Sequence, residues 1–297
     1  MHLRKTARTT RTTRTTRATR TADATGTTGR RAAKAVAVTA LAAALGATVM
    51  AGSASAIING RDSTERYPFM ATLPLSAAQL ADGACGATLI DRQWVLTAAH
   101  CVVGDEDTKL TLKGTVRIGS AHRDSGGTVR KVDRVVVHPG FEFGDGATRP
   151  NQNDLALVRL DRPAPQKPVR IAEHRATPGT PTRLLGFGTI VDTPNFPDMV
   201  FPDRLQELPS RIGATSDCAP GWADPTRLCT LSQIPDAMAC MGDSGGPQIQ
   251  RGRGGRWELV GTTSGPGAPG VPCAGGPGLY TDVPAYAPWI RATLATG

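Results

Sequence analysis

Apolar residues in this chain come in short runs, too brief for helices and repeatedly broken by turn chemistry. Ala87-Thr88-Leu89-Ile90, Trp94-Val95-Leu96-Thr97, Val116-Arg117-Ile118, residues 132–137 and Leu155-Ala156-Leu157-Val158 are rich in β-branched or apolar side chains. Asp91-Arg92-Gln93 and Ser125-Gly126-Gly127 are among the clusters that separate them. Short strands at such intervals indicate an all-β barrel or sandwich. With 34 Gly and 23 Pro in 297 residues and only 20% charged side chains, a coiled coil, a helical bundle and a polytopic membrane protein are excluded. One helix is expected, at the C-terminus over about 285–293, with Trp289 as its apolar anchor. A Pro-rich stretch at 162–168 reads as a linker between two halves of similar length.

The formal charge of +9 invites a nucleic-acid reading until it is divided along the chain. Residues 1–56 hold ten of the 34 basic side chains and one of the 25 acids, which leaves 24 of each for residues 57–297. The positive charge therefore belongs to the leader, and no nucleic-acid partner is expected of the rest. Within that leader, Thr-Thr-Arg recurs from Arg8 to Thr21 without any apolar face, so it reads as disordered. An Ala-dominated stretch over 35–52 follows and ends in Ala54-Ser55-Ala56, a small-x-small cleavage signature. Basic segment, apolar segment and signature together predict a secretory signal peptide and a secreted protein without stable membrane association after cleavage. An uncleaved anchor is the competing reading. Arg30-Arg31 partly matches a twin-arginine signal but lacks bulky apolar residues after the pair, so the export route stays open.

The six cysteines, Cys85, Cys101, Cys218, Cys229, Cys240 and Cys273, all lie beyond that signature. An even count in an exported chain is most simply three disulfides, and the absence of C-x-x-C argues against zinc-ribbon and thioredoxin chemistry. Six cysteines allow fifteen pairings, which the sequence alone leaves open.

Three segments carry chemistry when taken together. His100 follows the run Trp94–Thr97 and precedes Cys101; Asp154 stands at the mouth of an apolar strand; Ser244 sits in Gly242-Asp243-Ser244-Gly245-Gly246-Pro247. Each has a bland reading: a structural His, a capping Asp, a glycine turn. Jointly, in an exported disulfide-bearing chain, they supply what acyl transfer needs. A Ser hydroxyl is a poor nucleophile unless a base lies at hydrogen-bond range. A His with an ordinary pKa near 6.5 can be that base and then an acid. A Gly-rich loop lets backbone N–H groups converge on an oxyanion.

On these motifs residues 57–297 resemble the chymotrypsin/trypsin-like serine endopeptidases. Ile57-Ile58-Asn59-Gly60 is similar to the family's mature N-terminus, Cys85-Gly86-Ala87-Thr88-Leu89-Ile90 and the His100 segment to its first cystine loop, and Leu185-Gly186-Phe187-Gly188 to its Gly-aromatic-Gly turn. Residues 240–247 are similar to its nucleophile loop and Pro277-Gly278-Leu279-Tyr280 to its last strand. The resemblance implies two six-stranded antiparallel β-barrels with a C-terminal helix and the active site in the cleft between them: a leader over 1–56, an N-terminal barrel over 57–165 bearing the His and Asp, and a C-terminal barrel over 166–297. It implies disulfides Cys85–Cys101, Cys218–Cys229 and Cys240–Cys273. It further implies a His100–Asp154–Ser244 triad, oxyanion donors on Gly242 and Ser244, and an activation pair between a freed Ile57 amine and Asp243. No cofactor is implied. The partners would be protein or peptide substrates and proteinaceous inhibitors, and the protein would be a monomer.

The resemblance places Met238, Met241, Ser264 and Gly278 around substrate. Met238 stands six residues before Ser244, where the family sets specificity; without a carboxylate there, burial of Arg or Lys is not offset, and an apolar preference before the scissile bond is expected. The alternative is that Met238 fills the pocket and leaves room only for small residues. The family's Ser-Trp-Gly is replaced by Thr263-Ser264-Gly265-Pro266-Gly267, so the substrate-pairing strand is altered, and Ser264 is expected to support the aspartate. No metal is expected: 119–128, the corresponding calcium loop, holds one carboxylate, Asp124. His138 reads as structural, His122 and His174 as solvated. The rival class is a binding module on a protease scaffold, weak or inactive because its pocket has drifted.

Overall fold

A computed structural model describes residues 57–74, 84–103 and 114–296. The basic repeat, the apolar stretch and the cleavage signature lie outside the described residues. Fourteen strands follow in chain order: β1 (Arg61–Asp62), β2 (Met70–Pro74), β3 (Ala84–Asp91), β4 (Trp94–Thr97), β5 (Thr115–Ile118), β6 (Thr128–Val137), β7 (Ala156–Leu160), β8 (Arg170–Ile171), β9 (Pro181–Gly186), β10 (Gln206–Ile212), β11 (Arg227–Ser232), β12 (Pro247–Arg251), β13 (Trp257–Pro266) and β14 (Gly278–Asp282). One helix, α1 (Ala287–Ala295), ends the described chain.

Strands β2-β3-β4-β7-β6-β5 close into a six-stranded antiparallel barrel. A second six-stranded antiparallel barrel runs β9-β10-β11-β14-β13-β12 and closes through β12 pairing with β9. Closure removes the unpaired edges that a sheet of short strands would otherwise expose. The linker at 162–168 carries no regular element and runs from β7 to β8, which adds to β13 in parallel.

Local chemistry accounts for where the elements differ from sequence expectation. β6 begins at Thr128 rather than near 132 because Thr128–Lys131 pair with β5, and its exposed side needs no apolar residues. The C-terminal helix starts two residues later than expected. Val283–Tyr286 form a 3-10 turn, and Pro288, whose missing N–H is harmless only in the first helical turn, sets the start of α1.

All six cysteines are paired as the family resemblance implied: Cys85–Cys101, Cys218–Cys229 and Cys240–Cys273. Each closure stabilises by on the order of 2–4 kcal/mol through the unfolded chain. None of the three joins a residue before the linker to one after it.

The two ends of the described residues cross between barrels. Ile57 is fully buried among Leu184, Leu208, Leu228 and Tyr280 of the second barrel, Ile58 exchanges backbone hydrogen bonds with Met238, and β1 pairs with β10. At the other end, Tyr286 and Trp289 meet the edge of His138, at the end of β6, at ring distances of 5.1 and 5.0 Å. Tyr286 also donates its hydroxyl to Asn153 Oδ1. His138 is thus a packing residue, and burial lowers its pKa.

Candidate active site

His100 lies in the 3-10 turn Ala99–Cys101 directly after β4, and the Cys85–Cys101 bridge ties that turn to β3. Its ring Nδ1 is 2.7 Å from Asp154 Oδ2, and its backbone N–H donates to Asp154 Oδ1 at 3.0 Å. Asp154 is 1% exposed, so its two oxygens need protein donors. Besides His100, Ser264 Oγ donates to Oδ2 at 2.6 Å and Asn151 Nδ2 at 3.2 Å. Ser264 reaches inward because β13 bulges there. Thr263 pairs with Tyr280 and Gly265 with Leu279, so Ser264 is the extra residue, and a bulge re-aims such a side chain.

These contacts set opposing charge preferences. Burial alone would raise the Asp154 pKa, but the adjacent His100 charge and the hydrogen bonds outweigh it and hold the carboxyl below its usual range. Burial disfavours the charged His100 ring, yet the Asp154 charge and hydrogen bond more than offset that, and its pKa rises.

Ser244 sits on the loop before β12. The loop is stitched to both barrels: Gly86 N–H donates to Ser244 C=O at 2.7 Å, and Gly245 N–H to Thr263 C=O at 2.8 Å. Gly242 has φ +93°, and a Cβ there would stand 3.0 Å from the Phe201 ring, so both backbone angle and space demand glycine. Thr189 N–H holds the Met241 carbonyl at 2.8 Å. In a trans peptide the Gly242 N–H must then point the opposite way. Among the described residues no acceptor takes the N–H of Gly242 or of Ser244.

His100, Ser244, Gly242, Met241 and Ser264 line one cleft of about 380 Å³. Asp154 lies behind its wall. Met238 and Gly278 do not line it: Met238 is 2% exposed, and a Cβ on Gly278 would meet its sulfur at 3.1 Å. The cleft also takes in Phe143, Phe196, Phe201, Asn151 and Pro266, which the motifs had not singled out. Three of the chain's six Phe residues therefore stand in loops at one opening. Aromatic side chains in Gly- and Pro-rich segments with no strand alternation were the available signal.

Asp243 points away from the cleft into the second barrel. Its carboxylate accepts the N–H of Gly188 at 2.8 Å and of Cys240 at 3.0 Å. A Cβ on Gly186 would overlap it, which explains the Gly-Phe-Gly turn. Burial pushes its pKa up to about 7 against those two hydrogen bonds. His122, expected to be merely solvated, bonds Asp203 through Nδ1 at 2.6 Å.

Two antiparallel barrels, a His100–Asp154 pair whose carboxylate Ser264 also bonds, and a further serine, Ser244, in a Gly-rich loop of the same cleft define the serine protease class. The sequence model described as Trypsin matches residues 57–290, and the chain belongs to the trypsin family: it is a serine endopeptidase. Human kallikrein-7 is 34% identical over 220 residues, 71% of this chain and 77% of that protein. The trypsin of Sarcophaga bullata is 32% identical over 251 residues, 80% of this chain and 88% of that protein. The solved structure of neuropsin, a serine protease of the mouse limbic system, superposes with a TM-score of 0.65 at 28% identity. It covers 80% of this chain and all of that one. Catalysis by a Ser-His-Asp triad is general for the family, and three disulfides fit an extracellular protein.

Proposed function

We propose that this chain is exported as a monomer and cleaves protein or peptide substrates after apolar residues, with Ser244 as nucleophile. The single observation that carries the reading is the buried Asp154 carboxylate bonded to His100 Nδ1 at 2.7 Å, with His100 and Ser244 lining one cleft. Ser244 Oγ attacks the scissile carbonyl carbon as His100 Nε2 takes its proton. Backbone N–H groups of Gly242 and Ser244 bind the oxyanion, each donor contributing about 3 kcal/mol. Collapse expels the amine, which takes the proton from Nε2, and water then releases the acyl group by the reverse sequence. Asp154 holds the ring so that Nδ1 carries its proton and stabilises the imidazolium. Hydrolysis of a denatured protein, with a phosphonate inhibitor labelling Ser244, tests this. Binding without hydrolysis would instead favour the inactive scaffold.

Substrate preference follows from the walls of the cleft. Met238 is buried against Gly278 and brings no carboxylate, while Met241, half exposed, and the three Phe side chains offer apolar surface in the cleft. Alanine, leucine and phenylalanine esters should be turned over in preference to arginine esters, and faster turnover of the arginine ester would refute the preference.

Signal peptidase cleavage after Ala56 would leave Ile57 as the N-terminus in one step. The reading is supported by Asp243, which in the continuous chain is a buried acid with a raised pKa and only backbone partners. A freed Ile57 ammonium would neutralise it and order the oxyanion loop. The free amine has a pKa of about 7.7–8.0, and pairing raises it. The stabilisation is then complete below the free-amine pKa and fades as pH rises through the raised one, so activity should fall reversibly at alkaline pH. N-terminal sequencing of active, exported protein should start at Ile57; a start several residues earlier would overturn the one-step route.

A further inference from the structure

Residues 57–297 carry equal numbers of acids and bases, yet one groove away from the cleft is lined by five cations and no carboxylate. Arg66, Lys167, Arg170, Arg251 and Arg256 surround it, about 380 Å³ in volume, where the linker passes the turn between β12 and β13. All five are exposed. Arg251 is committed: its guanidinium bonds both Glu65 oxygens at 2.8 and 2.9 Å and stacks on Trp257, 3.6 Å from the ring centroid. Glu65 is saturated as well, since it also accepts from Arg183 and from Trp257 Nε1. Glu258 pairs in register with Arg170, but no ion pair within 4 Å joins them. Arg66, Lys167, Arg170 and Arg256 make no ion pair among the described residues.

Like charges held together without a counter-charge raise the energy of the folded state, and an anionic ligand relieves it. We infer that this groove binds an acidic peptide segment of a protein substrate or partner, outside the cleft that holds Ser244. Two features favour a peptide over a sulfated glycan. Three of the four free cations are arginines, whose forks match carboxylates in a bidentate manner. The floor between them is apolar, made by Pro68 and Pro168 beside the Trp257 ring, which suits side chains interspersed among acids.

Exported protein carrying Ser244→Ala can be titrated into a fluorescein-labelled peptide rich in Glu and Asp with interspersed Leu and Pro. Anisotropy should show saturable binding that weakens as salt rises. Lys167→Glu, Arg170→Glu and Arg256→Glu together should weaken it about tenfold or more, and the three alanine replacements less, in the same direction. Arg92→Glu, Lys131→Glu and Arg211→Glu change the net charge equally at exposed sites elsewhere and should have little effect. Thermal melting checks that both triple variants fold. Equal weakening by the two charge-reversed triples, no saturable binding, or binding of a heparin fragment where the peptide fails would overturn the inference.

Discussion

Ser244→Ala is expected to lower turnover of a leucine or phenylalanine ester by on the order of 10⁶ while leaving the melting temperature unchanged. The large loss follows from the chemistry: a methyl group cannot form the acyl intermediate, and the base that remains has nothing to activate. The small structural effect follows from how the loop is held. Its position depends on the Ser244 carbonyl, the Gly245 and Asp243 N–H groups and the Cys240–Cys273 bridge, none of which involves the hydroxyl. Activity within about tenfold of the parent would exclude Ser244 as nucleophile.

Asp154→Asn is the second large effect, a fall of about 10⁴ in kcat. The amide nearly matches the carboxylate in shape, and its oxygen, in the place of Oδ1, can still accept the His100 backbone N–H. Its NH₂ group, however, turned toward His100 would make Nδ1 the acceptor and move the ring proton to Nε2, where Ser244 needs a free lone pair. The pH profile separates this from simple misfolding. In the parent, Asp154 holds the His100 pKa above its ordinary value, so activity is lost as pH falls through that raised value. Without the carboxylate, burial dominates and lowers the His100 pKa, so the residual activity should persist to lower pH. A variant with unchanged kcat, or with an acid limb shifted upward, would refute the assigned role.

Strand positions and the candidate residues His100, Asp154 and Ser244 were legible because each depends on local chemistry. Apolar runs mark β4 and β7 whatever lies across from them, and a Ser between glycines is visible without coordinates. The pocket was less legible because it depends on how distant segments pack. Whether Met238 lines a cavity or fills one is decided by Gly278 and Tyr280, some forty residues on, and by Ile57 from the other end of the chain. Phe196 and Phe201 reach the cleft through a loop whose path no periodicity encodes. The basic groove was hidden by a sum: equal totals of acids and bases conceal a local excess contributed by Arg66, by 167–170 and by 251–256. Ser264 was expected to support the aspartate from its place in a motif, but the means, an extra residue in β13, appears only in the strand register.

The crossed ends bear on the order in which this protein can be completed. During synthesis Ile57 and Ile58 emerge before every strand of either barrel, but their seat includes Leu208, Leu228, Met238 and Tyr280, which follow about 150 residues or more later. The first barrel emerges whole well before α1 exists, so the face around His138 that Tyr286 and Trp289 will cover stays wet until those two residues arrive. Neither half can finish alone, and no cystine crosses to hold them together meanwhile. The cleft lined by His100 and Ser244 takes residues from both sides of the linker, so it can be shaped only after β12 and β13 have emerged and folded back onto a barrel that was already there.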